Sequence, residues 1–186
     1  MRLTVFATLF LPFLTVLGQT RKDERLCTLR MKTTYELLAP SGWKVTDCFS
    51  GVRSQHPNFW LEPESQVLRP PTSSEPFGIA MYGGPAGPGT IDEALASDRK
   101  IYGNGHLVAV GESLATADKR EVRVIYITSR VGYYSWLAHG YFKVGPSVFW
   151  VAFDCRREEY CMMNYQAFKS LVGSLRVVPS NDSNVR

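Results

Sequence analysis

The chain predicts an α+β domain, a central antiparallel β-sheet flanked by helices, and three stretches of sequence carry that prediction. Gly132–Val144 and Ser147–Arg156 alternate in character on either side of Gly145-Pro146, which reads as the turn of a long hairpin. After it, Cys161, Tyr165, Phe168, Leu171, Val172 and Leu175 recur at three- and four-residue steps, the apolar face of a helix. Upstream, Thr90-Ile91-Asp92-Glu93 has the form of a capping box that opens a second helix.

Taken in order, the chain begins with Arg2 and an almost wholly apolar run, Val5–Leu17, followed by Val16-Leu17-Gly18 as a cleavage site. This is the pattern of a secretory signal peptide over residues 1–18, with the mature chain starting near Gln19. The apolar run is too short for a membrane anchor, since spanning takes about 20 residues. No stable membrane insertion is therefore expected after cleavage. Residues 19–32 read as a solvated basic arm (Arg21, Lys22, Arg25, Arg30, Lys32), 33–179 as one α+β domain, and 180–186 as a polar, frayed tail. The tail includes the sequon Asn181-Asp182-Ser183.

Within the domain, Leu26–Leu38 carries strand-forming residues, Pro40-Ser41-Gly42 makes a turn, and Trp43–Thr46 and Phe59–Leu61 read as short strands. Pro70–Glu75 reads as an exposed excursion. Phe77–Tyr82 reads as a buried strand that runs into a flexible connection, Gly83–Thr90. That connection has the glycine spacing of a phosphate loop, yet Thr90 stands where the lysine would be and two prolines remove N–H donors. Nucleotide binding is not expected there. The helix after it shows Ile91, Leu95 and Ile101 as its apolar positions, Gly103-Asn104-Gly105 stops it, and His106–Leu114 reads as a strand ending at the polar turn Asp118-Lys119-Arg120.

Composition narrows the function. The chain is 45% hydrophobic and 20% charged with a net charge of +4, which fits a globular domain and excludes a disordered one. Its basic residues cluster at the start of the mature chain without forming a stripe, so a nucleic-acid partner is not expected. Four cysteines follow the signal segment: Cys27, Cys48, Cys155 and Cys161. Four allow three pairings; locality favours Cys27–Cys48 and Cys155–Cys161. Their long gaps lack the close pairs of a zinc site, so neither a metal nor another cofactor is expected.

The hairpin sorts its side chains. If Gly145-Pro146 is a two-residue turn, Tyr141 opposes Trp150 and Phe142 opposes Phe149. One face then holds Tyr134, Trp136, Ala138, Phe142, Phe149, Val151, Phe153 and Cys155, which the second helix covers. The other holds His139, Tyr141, Trp150 and Asp154, an amphipathic surface suited to a small molecule or a peptide. The same four residues fit a packing role beneath the Thr90–Tyr102 helix or the N-terminal segment, the commoner role of a lone histidine on a mixed face, since pockets are few per protein. No catalytic set is assembled: Ser135 lies about 13 Å along the strand from His139 at 3.3 Å per residue, and no G-x-S-x-G, H-E-x-x-H or calcium-loop pattern occurs. Glu62, Glu64 and Glu112 would serve a carboxylate-based hydrolase only if the fold brought them together.

The order of elements resembles the PsbP-like family. The resemblance rests on Tyr35-Glu36-Leu37-Leu38-Ala39-Pro40-Ser41-Gly42-Trp43, the Thr90–Tyr102 helix, the long strands, and Phe168-Lys169-Ser170-Leu171-Val172-Gly173-Ser174-Leu175-Arg176-Val177. It implies an α/β/α sandwich in an exported, non-enzymatic accessory or binding protein, secreted or periplasmic, for an unidentified protein or small-molecule ligand. A structural part in an envelope assembly is a further alternative. The four cysteines depart from the family pattern.

Overall fold

The computed structural model describes residues 25–30, 33–51, 56–64, 79–103, 106–129, 136–155 and 158–178. The signal segment 1–18, the beginning of the basic arm, the excursion Pro70–Glu75, Tyr134, Ser135 and the tail 180–186 lie outside the described residues.

Two antiparallel sheets and two helices make up the described chain. Strands β1 (Leu26–Arg30), β2 (Thr34–Leu38) and β10 (Arg176–Val178) form a three-stranded sheet in the order β1-β2-β10. Strands β3 (Trp43–Cys48), β4 (Phe59–Pro63), β5 (Ile79–Pro88), β6 (His106–Ala115), β7 (Glu121–Ser129), β8 (Trp136–Val144) and β9 (Ser147–Cys155) form a seven-stranded sheet ordered β3-β4-β5-β9-β8-β7-β6. The helices are α1 (Ile91–Tyr102) and α2 (Glu158–Ser174).

The seven-stranded antiparallel sheet takes the central place expected, and a second, smaller sheet stands beside it. The chain leaves α2 and pairs β10 with β2 rather than with the large sheet, Arg176 opposite Glu36, and the two side chains meet at 2.6 Å. The basic segment also differs from a solvated arm from Leu26 onward. β1 buries Cys27 and Leu29 completely, because alternation turns every second residue inward.

The hairpin has the register that its turn predicts. Gly145 supplies φ of 57° at the turn, Tyr141 opposes Trp150 and Phe142 opposes Phe149. Ala138, Phe142, Phe149, Val151 and Phe153 enter one buried cluster together with Val122 and Val124 of β7, Cys27 and Leu37 of the small sheet, and Phe168, Leu171 and Val172 of α2. Each fully buried phenylalanine there contributes about 1.5–3 kcal/mol. On the opposite face Leu95 of α1 packs with Ile125, Ile127, Leu137, Tyr141 and Val148.

Both disulfides take the pairing that locality favours. Cys27–Cys48 ties β1 to β3, and Cys155–Cys161 ties the end of β9 to the first turns of α2. Among the described residues no helix is long and apolar enough to cross a membrane.

The run Gly83–Pro88, expected as a flexible connection, is the second half of β5 and pairs with β9 from Gly83↔Val151 to Pro88↔Ser147. Glycine permits this in two ways. A Cβ on Gly83 would come to 2.3 Å from the Trp150 carbonyl oxygen, so only a bare backbone lets the strands approach. Gly87 takes φ of 100° at the bulge after Pro85, a conformation other residues avoid.

Candidate functional site

Helix α1 starts where the capping box places it. Thr90 Oγ1 accepts from the Glu93 N–H at 3.1 Å, and a Glu93 carboxylate oxygen accepts from the Thr90 N–H at 2.7 Å. These bonds hold Glu93 below the ordinary glutamate pKa of 4.5. From that fixed start the inward positions follow at Ile91, Ala94, Leu95, Asp98 and Tyr102. Ile101, expected inward, is 66% exposed. Ten residues on from Ile91 it has turned about 80° off the face, whereas Tyr102 returns to it.

Asp98 is therefore a carboxylate on the buried stripe of a helix. It lies 7% exposed against His139 (6%) and Tyr141 (5%) of β8. His139 Nδ1 stands 2.7 Å from Asp98 Oδ2, and the Tyr141 hydroxyl donates to the same oxygen. A carboxylate only accepts, so the Nδ1 proton belongs to this bond. Burial, then the Asp98 charge, push the Tyr141 phenol far above its ordinary value, and it stays a donor throughout the accessible pH range. Every hydrogen bond of the His139 ring runs through Nδ1, and Nε2 has no partner among the described residues. Asp98 Oδ1 likewise has none among them.

These groups form one wall of a cavity of about 460 Å³ between α1, the Gly-rich half of β5 and the β8–β9 hairpin. Tyr82, Tyr102 and Trp150 add aromatic rings to the wall, and the Ala86–Gly89 backbone closes one side. Trp150 meets Tyr82 edge-on at 5.7 Å, Tyr82 stacks on Trp60 at 4.6 Å, and Tyr102 meets His139 edge-on at 5.8 Å. Lys143 holds the rim in place by donating to the carbonyls of Gly89 and Pro146.

Three of the four residues grouped on this face from sequence, His139, Tyr141 and Trp150, line the cavity. Asp154 does not. It shares their face and is buried, but it lies opposite Leu137 and Ala80, four residues along β9 from Trp150, or about 13 Å at 3.3 Å per residue. Helix α1 covers part of the face and leaves part open, so the packing role and the cavity coexist. Sequence reasoning missed Asp98, Tyr82 and Tyr102. The signal for Asp98 was present as an acid seven residues from Ile91 and three from Leu95, inside an apolar stripe.

The carboxylates considered for a hydrolase are not brought together. Glu62 and Glu64 belong to β4 and its end, and Glu112 to β6, with β5, β9, β8 and β7 between them, roughly 24 Å at 4.8 Å per strand. Glu112 instead pairs with Lys169 of α2 at 3.2 Å. Among the described residues no group of three His, Cys, Asp or Glu side chains is placed to hold a metal ion.

No family model and no curated protein matches the chain. Among solved structures, the fold is similar to the solution structure of cyanobacterial PsbP (CyanoP) from Synechocystis sp. PCC 6803. The TM-score is 0.48 and the identity 12%, over 77% of this chain and 86% of that one. This is a weak likeness of fold.

Proposed function

We propose that this chain is an exported, non-enzymatic binding or accessory domain, a PsbP-like α/β/α sandwich that takes a small ligand in the cavity beneath α1. The observation that carries the reading is the cavity itself. Its volume of about 460 Å³ falls in the range of small-molecule sites, and it combines aromatic walls with a few converging polar groups. The leading apolar segment and the two disulfides support export to an oxidising compartment, secreted or periplasmic. The Asp98–His139 pair has the form of an oriented base, but a catalytic reading also needs a nucleophile against Nε2, and none stands there among the described residues.

A thermal-shift screen of the mature protein against a small-molecule library tests the binding role. At least one chemical class should raise the melting temperature of the parent and leave a Trp150→Ala variant unmoved, since mass action stabilises only a form that binds. A library without effect, or equal shifts in both proteins, would overturn the use of this cavity and favour a purely structural part in an envelope assembly.

A further inference from the structure

We infer that the ligand of this cavity is a small organic cation, a protonated amine or guanidinium with an apolar or aromatic body; the inference rests on reading the cavity as a binding site. Charge is the first observation. Two acids line the cavity, Asp98 at depth and the exposed Glu93 at the rim. The cation beside the rim, Lys143, faces Glu93 and is engaged by the Gly89 and Pro146 carbonyls. The Asp98 charge at depth thus has no lysine or arginine beside it among the described lining residues. The molecule as a whole carries a net charge of +4, so this acidic concavity runs against the balance of the chain. A cleft lined by one sign of charge concentrates ligands of the other.

Hydrogen bonding points the same way. His139 and Tyr141 both use Asp98 Oδ2, which leaves Oδ1 as an acceptor. In its neutral form, an imidazole that gives its Nδ1 proton to a carboxylate presents Nε2 as an acceptor too. The Asp98 and His139 side chains are each nine-tenths or more buried, and both line the cavity. Its deep wall thus offers lone pairs, and the ligand must supply the N–H or O–H donors. The aromatic walls then select among donors. Trp150 and Tyr82, set edge to face, offer a ring surface to a cation, an attraction that strengthens away from water. An anion would meet the Asp98 charge without a compensating partner, and a neutral polyol would use the acceptors but gain nothing from the charge.

Titration calorimetry of the mature protein with benzylammonium, benzyl alcohol, benzoate and methyl glucoside tests this. Benzylammonium should bind at least about tenfold more tightly than benzyl alcohol, its neutral counterpart. Asp98→Asn should bring the two within about threefold, with folding checked by circular dichroism. Should that variant fail to fold, Glu93→Gln keeps the capping box while removing a charge. It should weaken benzylammonium about two- to threefold and leave the alcohol unchanged. Equal binding of amine and alcohol, or tighter binding of benzoate or glucoside, lost in Trp150→Ala in either case, would overturn the cation assignment and leave the cavity a binding site. Failure of all four probes overturns the inference. If the library screen fails as well, the binding reading falls with it.

Discussion

Asp98 is the residue on which the site turns. Aspartate is a poor interior helix residue and costly to bury, so its place on the inner stripe of α1 requires partners. His139 and Tyr141 supply them from β8, two residues apart and so on the same face. Removing one partner should show. Tyr141→Phe keeps the ring and its packing but takes one donor from a buried carboxylate, and we expect a loss of about 1–3 kcal/mol in urea unfolding. A variant as stable as the parent would mean that water in the cavity replaces the hydroxyl. The pairing of His139 with Tyr141 was legible from strand alternation alone. The partner on the helix was not, because nothing in a helix of this length says which strand it will lie across.

Elements differ in how openly the sequence declares them. The capping box, the helical spacing of α2 and the β8–β9 turn are local signals, each complete within a few residues, and each produces the element expected. The second half of β5 is the opposite case. Glycine and proline are weak strand formers, and six residues rich in both read as a loop. They form a strand because Trp150 of β9 leaves room only for a bare backbone beside it, a fact that belongs to two strands and not to one. The capping box also gives α1 a dependence on pH. Hydrogen bonds from Thr90 lower the Glu93 pKa in the folded protein, so the stability they contribute is present above the unfolded value of 4.5 and is lost as pH falls through the folded one. Glu93→Ala should therefore melt below the parent at about pH 7, with the gap closing toward about pH 3 in circular-dichroism melts. A gap that persists unchanged in acid would assign the effect to contacts of the Glu93 side chain that do not depend on its charge.

At the scale of the molecule, the two sheets and α2 are held as one body by a shared core and by two covalent ties. The bridges close loops of 21 and 6 residues. Loop-closure entropy assigns them about 3 and about 2 kcal/mol. Protein recovered from the medium of a secreting host should begin near Gln19 and carry both bridges. Replacing Cys27 and Cys48 with serine should lower its melting temperature by about 6–12 °C. Cell-associated protein with an intact Met1 and free thiols would overturn export. The sequence by itself determined an antiparallel sheet with two helices, the hairpin register and the division of the hairpin into a packed face and a mixed one, and it favoured the two cysteine pairings without choosing them. All of these follow from contacts between near neighbours or from the period of the chain. Only the tertiary structure decided that β10 joins β2, that Gly83–Pro88 is a strand, and that Asp98 meets His139 while Asp154 does not. Each depends on which distant segments lie side by side, and that is settled by burial summed over the whole core, where no single stretch of sequence holds the answer.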